Sequence, residues 1–233
     1  MGTSWPGPDP SSIDSETKFR EAIEAIEKRT PVSREEFDRM DKLERENAFT
    51  ASRVAEARVL QNVLDALQTS VRDGTDFAEF KDSVGAQLIE SWGGEIPGRL
   101  ELIFRQNTMT SYNEGRHAAY SAPVVKKARP YLRFDASMDD RTTDECAECN
   151  GTVLPADDPF WVTHTPPLHY QCRSILVPLS AEEAGEEGVD DEAPDVDAAE
   201  GFGDEPSRKG SDWDFDLSNL DPELRAMVRE DVE

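Results

Sequence analysis

The chain has 233 residues, a formal net charge of −25 and three cysteines. Its length admits one or two domains with a core of modest size. The charge disfavours a sequence-independent hold on phosphate backbones, and no run of about 18 apolar residues offers a membrane span.

Residues 1–14, MGTSWPGPDPSSID, are rich in Pro, Gly, Ser and Asp and read as a mobile arm. They lack the basic flank and apolar stretch of a secretory signal, so the chain is expected to be made and kept inside a cell. Residues 15–125 read as a helical region. Ser15 can cap a first helix carrying Phe19, Ala22, Ile23 and Ile26, which Thr30-Pro31 ends. Ser33 and Glu36 have the capping-box spacing, and a long helix is predicted from there to about Thr69, thinly apolar around Glu44–Asn47. Asp73-Gly74 breaks the chain. Thr75 or Asp76 caps a third helix with Phe77, Phe80, Val84, Leu88 and Ile89, ended by Gly93-Gly94. A fourth helix takes Pro97 in its first turn, runs through Leu100, Ile103 and Phe104 to about Ser121, and is closed by Pro123.

Residues 126–180 change character. Tyr131–Ala136 alternates like a strand, and Ser174–Leu179 reads as a second, more buried one. Between them lie the three cysteines and two of the three histidines. A loop of about forty residues without a core of its own is unusual unless something staples it. The spacing Cys146-x2-Cys149-x19-His169-x2-Cys172 offers such a staple: two close pairs of thiolate and imidazole groups suit tetrahedral Zn2+. An odd cysteine count argues against a disulfide framework. The bland alternative is three reduced cysteines that simply pack. His164 can also stand in for His169, although His169 has the tighter spacing to Cys172. Four protein ligands would leave no place for a reactive water, so the metal is expected to be structural. A catalytic alternative is a metal-dependent nucleic-acid-processing enzyme built on Asp139, Asp140 and Asp144, with Asp135 nearby. No nucleophile elbow or phosphate-cradling Gly loop accompanies these residues, and no catalytic set is assigned.

Residues 181–210 read as an acidic linker, part of a disordered acidic tail. Of the 50 Asp and Glu residues 20 fall in 181–233, against only 4 of the 25 Lys and Arg, too acidic a stretch to fold alone. Residues 211–233 then regain an amphipathic pattern with Trp213, Phe215, Leu217, Leu220, Leu224, Met227 and Val228, suited to docking on a partner or back on the chain itself. The acid excess extends beyond the tail, and Arg outnumbers Lys by 18 to 7. This composition fits a halophilic host, or an ordinary chain with a solvated acidic tail. The fold class expected is α+β: helices first, then a small zinc-stapled β-hairpin module, then the tail.

Several of these residues together resemble the Mu F-like head morphogenesis family of tailed viruses. The resemblance rests on Arg105, Asn113, Gly115, Arg116 and Tyr120 on the fourth helix, the aromatic strand Tyr131–Phe134, and Asp140-Arg141-Thr142. It continues with Cys146/Cys149, Gly151 and Pro166-Pro167-Leu168-His169-Tyr170-Gln171-Cys172-Arg173, covering about residues 95–180. Family members often end Cys-Arg-Cys where this chain has Cys172-Arg173-Ser174, which leaves one way to assemble four ligands. The resemblance implies a minor capsid protein in the head interior, associated with the portal protein, possible partner of scaffold or major capsid protein, and close to packaged DNA without a basic patch to bind it. It implies no enzymatic activity. Arg105 and Arg116 are candidates to pin the helix to the following module, with solvation the alternative for each.

Overall fold

The structure, a computed structural model, describes residues 19–40, 45, 48–51, 54 and 57–206. Helices α1 (Arg20–Glu27), α2 (Arg34–Arg39), α3 (Ala57–Asp73), α4 (Phe77–Ser91) and α5 (Arg99–Ser121) build the first half. In α3 the buried Leu60, Val63, Leu64, Leu67 and Val71 recur at helical spacing. They meet Ala22 and Ile26 of α1, Phe80, Val84 and Leu88 of α4, and Leu100 of α5 in one apolar core. Asp76 caps α4 in a reciprocal box with Glu79, one of the two caps the sequence allowed.

The single long helix expected from Ser33 to Thr69 is corrected. Ser33 and Glu36 do form their capping box, but α2 stops at Arg39, and Met40 is already extended. Ala48–Phe49 (β2) then pairs in parallel with Thr30–Pro31 (β1) before α3 begins. Between Met40 and Ala48 the described residues include only Arg45. Pro97 also lies outside α5: Gly98, with φ of 73°, sits at its N-terminus. Pro123 closes α5 as expected and opens the short helix α6 (Pro123–Ala128).

Helix α5 is the spine shared by the two halves. Its first turns pack into the helical core through Leu100, Ile103 and Phe104, while Tyr120 at its far end packs into a second core. Gly115 lets α1 approach, since a Cβ there would stand 2.6 Å from the Ala22 backbone nitrogen. Arg29 of the incoming chain fixes the crossing with bonds to Asn107 (3.1 Å) and Glu114 (2.9 Å).

The second core lies on a three-stranded antiparallel sheet, not the hairpin expected. Strand β3 (Tyr131–Asp135) is central, flanked by β4 (Val153–Pro155) and β5 (Ile175–Leu179). Its register pairs Asp135 with Ile175 and Tyr131 with Leu179, and the alternating Leu132 and Phe134 point into the core. The missed strand β4 is short enough to show no periodicity.

The acidic linker is the largest correction. Ser180 caps helix α8 (Ala181–Glu187) in a third capping box. Arg129 binds Glu183 at 2.7 Å, and Arg133 binds Glu187 at 2.6 Å, tying α8 to the sheet. Beyond α8 the chain runs back across the module as a strap. Asp190 exchanges bonds with the Val153 backbone (2.8 and 2.9 Å), and Ala199, Gly203 and Glu205 donate to Leu168, Pro167 and Val162. Thr165 donates to the Gly203 carbonyl, and a Cβ at Gly203 would collide with Thr163. Composition counts side chains that fail to bury, but the backbone, these ion pairs and Ala184, Val196 and Ala198 fasten this segment while most of its other carboxylates face water. Residues 1–14 and the docking segment 211–233 lie outside the described residues.

Candidate metal centre

Helix α7 (Asp144–Cys149) presents Cys146 and Cys149, three residues apart, to the same buried side, and both are buried. Opposite them the chain reaches His169 after a cis Pro166-Pro167 bond and turns at Gln171. Gln171 takes a left-handed φ of 61°, which costs a side-chain-bearing residue roughly 1 kcal/mol or more. The turn closes with the Cys172 N–H donating to the His169 carbonyl at 3.3 Å, so imidazole and thiol share one side. The Gln106 side chain on α5 accepts the Gln171 N–H at 2.9 Å, holding the turn from behind.

The result is a cluster. Cys146 Sγ lies 3.2 Å from His169 Nε2 and 3.6 Å from Cys172 Sγ, and the three ligand atoms are all within 4.8 Å of one another. His169 Nδ1 sits 2.8 Å from the Tyr170 carbonyl. That contact makes Nδ1 the donor and leaves the Nε2 lone pair facing the sulfurs, the tautomer a metal ligand needs. Zinc–ligand bonds of 2.0–2.3 Å in a tetrahedron separate two sulfurs by about 3.8 Å and a sulfur and nitrogen by about 3.6 Å. The two edges at Cys146, 3.6 Å to sulfur and 3.2 Å to nitrogen, lie within about 0.4 Å of these, so the three residues fit such an ion. Cys149 is fully buried in the same core but does not join the three within that radius.

Electrostatics point the same way. A hydrogen bond between Cys146 and Cys172 lowers the Cys172 thiol and raises that of Cys146. Burial, with nearby Glu148, pushes Cys149 up to about 11. A divalent cation bound here would favour the thiolate forms that burial disfavours. Ser174 donates its hydroxyl to Cys146 Sγ at 3.2 Å.

The other predicted residues fall as follows. His164 is not in the cluster: its ring stacks on Phe160 at 4.1 Å and bonds the Val196 carbonyl at 2.7 Å. Arg105 binds Glu101 on its own helix at 2.7 Å and does not reach the module. Arg116 is half-buried, 3.5 Å from Asn113, and burial lowers its pKa. The pin is Asn113 itself, which donates to the Ser174 carbonyl at 3.3 Å. Tyr120 is buried against His117, edge to face, and burial raises its pKa sharply. Arg173 makes a two-pronged pair with Asp139, to which Arg141 adds its backbone N–H at 2.9 Å. Asp139, Asp140 and Asp144 form no three-carboxylate group among the described residues, and Asp139 is already engaged by Arg173.

Sequence reasoning missed Gln106, the Asp139–Arg173 pair and the contact of His117 Nε2 with Glu205 (3.0 Å). One signal was available. Gln106, Asn113 and Tyr120 are seven residues apart and therefore share a stripe of α5, the stripe that faces the module.

Fold and centre now stand beside known proteins. What they define is a small helical region with a sheet module carrying a thiolate–imidazole cluster. A family model described as "Phage Mu protein F like protein" matches residues 61–177, about half the chain, and the chain belongs to that family. It is similar to the "Putative capsid assembly protein F" of Escherichia phage Mu, 31% identical over 159 residues. That alignment covers 61% of this chain and 36% of the relative. The Mu-like prophage FluMu F protein of Haemophilus influenzae is 31% identical over 146 residues, 57% of this chain and 35% of that protein. The chain thus spans about a third of the length of these curated relatives. No solved structure matches. The matched span runs from α3 to β5 and includes all four Cys and His positions.

Proposed function

We propose that this chain is a minor structural protein of a tailed-phage head, lying inside the head near the portal and acting in assembly, DNA packaging or genome delivery. The observation that carries this reading is the family match across both the helical core and the module. One relative's name assigns it to capsid assembly, and the present chain is proposed to share that task through contact with portal, scaffold or major capsid protein. Its net charge of −25 suits a protein that lies near packaged DNA without binding its backbone. Residues 211–233, with Trp213, Phe215, Leu217, Leu220, Leu224 and Met227, are proposed to dock on one of these partners. In the same reading Cys146, His169 and Cys172, completed by Cys149 after a side-chain rotation, hold one structural Zn2+. The ion fixes the geometry of the module and performs no reaction.

The test is co-production with portal, scaffold and major capsid proteins, followed by isolation of heads. The chain is expected inside the heads at few copies, cross-linked to portal, with capture falling when residues 211–233 are deleted. Heads that exclude it would overturn the assembly reading. Metal analysis tests the centre: about one equivalent of zinc is expected, and far less, with a fold indifferent to chelator, refutes it. A cobalt-substituted sample counts thiolates by its charge-transfer band, which Cys149→Ser should reduce by about a third.

A further inference from the structure

Two loops carry the ligands, and each leaves the sheet at the same corner. The β3–β5 register ends with Asp135 beside Ile175, so the segment after β3 and the segment before β5 are neighbours. The first leads into α7 with Cys146; the second is Cys172-Arg173-Ser174. We propose that the Asp139–Arg173 ion pair is a positioning clamp that sets the distance between the two ligand pairs and so determines how tightly the centre holds zinc.

Arg173 donates through Nη1 and Nη2 to the two carboxylate oxygens of Asp139, at 2.6 and 2.5 Å. This two-pronged geometry fixes orientation as well as distance, which a single contact would not. Asp139 is in turn immobilised within its own loop. Its carboxylate accepts the Arg141 N–H, and its N–H donates to Thr142 Oγ1 at 2.8 Å. Thr142 Oγ1 donates onward to the Ser137 carbonyl at 2.5 Å, and Ser137 Oγ reaches the Arg173 carbonyl at 3.4 Å. The loop is therefore braced from inside and tied to the residue next to Cys172. Arg173 holds the Asp139 carboxyl well below the usual carboxylate range, as a firmly engaged pair requires. Exposed ion pairs contribute little to stability as such, so an effect on metal affinity is separable from an effect on folding. Groups that orient metal ligands typically change affinity 10–100-fold when removed.

The inference rests on the zinc reading. Its test uses the full chain, with zinc affinity measured by competition against a chromophoric chelator and ligand geometry read from the cobalt spectrum. Asp139→Asn and Arg173→Gln are expected to weaken zinc 10–100-fold and to shift the cobalt bands. Melting of the helical region should not change. Glu187→Gln, which breaks the comparable Arg133 pair on the same sheet, should leave both readouts as in the parent. The exchange Asp139→Arg with Arg173→Asp should recover part of the affinity. If the parent binds zinc and Asp139→Asn matches it, the clamp is refuted; the same holds if Glu187→Gln costs as much. If the parent itself binds no zinc, the centre falls and the clamp with it.

Discussion

The helical region and the sheet module solve the same problem by different means. The helical region buries Leu60, Val63, Leu64, Leu67, Phe80 and Leu88 on facing stripes, and apolar area is the main source of its cohesion. The module is smaller. Its core mixes Leu132, Phe134, Trp161 and Leu168 with three thiols, and long irregular segments wrap it through isolated backbone bonds. Small cores seldom stand without a staple, so the two regions should fail under different insults.

On the proposed zinc reading, metal removal separates them most. Excess chelator at neutral pH should abolish the module's cooperative transition, followed by near-UV ellipticity and Trp161 emission. The far-UV signal of α3, α4 and α5 should largely persist. The expected loss is several kcal/mol, toward the roughly 10 kcal/mol that structural zinc supplies in finger peptides. Simultaneous collapse of both regions would show that α5 couples them into one cooperative unit.

The converse blow falls at Gly115. Gly115→Ala places a methyl 2.6 Å from the Ala22 nitrogen, a backbone atom that cannot rotate away. Overpacking of this kind costs about 1–3 kcal/mol, offset by about 1 kcal/mol of helix propensity. Urea melting should show the helical region weakened, while zinc affinity stays within twofold of the parent. An equal loss of zinc affinity would mean that α1 supports the module through α5.

How much of this was legible follows from the same contrast. The helical stripes, the Ser33 box and the cap of α4 are local patterns, and the sequence displays them. The approach of Cys146, His169 and Cys172 was legible as well, because their spacing survives in one dimension, while Cys149 does not join them. The break after Arg39 was not, since a polar stretch reads alike as an exposed helix face or as connecting chain. The strap of residues 188–206 was the least legible. Its order comes from single bonds between residues far apart, such as Ala199 to Leu168, and these leave no periodicity. The Asp139–Arg173 pair was hidden for the same reason, because sequence showed an acidic turn without its partner.

A finer probe of the module is Gln171, whose left-handed backbone lies between His169 and Cys172. Gln171→Val should lower module stability by about 1–2 kcal/mol, because a β-branched side chain tolerates that conformation poorly. Gln171→Gly should be neutral or stabilising, since Gln106 contacts only the backbone N–H. Thermal melting of the metal-loaded chain reads both. Equal behaviour of the two variants would assign the effect to the lost side chain instead of the turn.

The smallest effect concerns charge. Glu182, Glu186, Asp191 and Glu192 crowd the exposed face of α8 and the strap, so the module carries most of the described carboxylate repulsion. Raising KCl from low to molar concentration shortens the screening length to about 3 Å, which relieves that repulsion. It also weakens exposed pairs such as Arg133–Glu187, each contributing less than about 1 kcal/mol. If the composition reflects a salty cytoplasm, repulsion wins: the module's melting temperature should rise with KCl by more than that of the helical region. A flat response in both would leave the acid excess as a solvated surface with no bearing on host salinity.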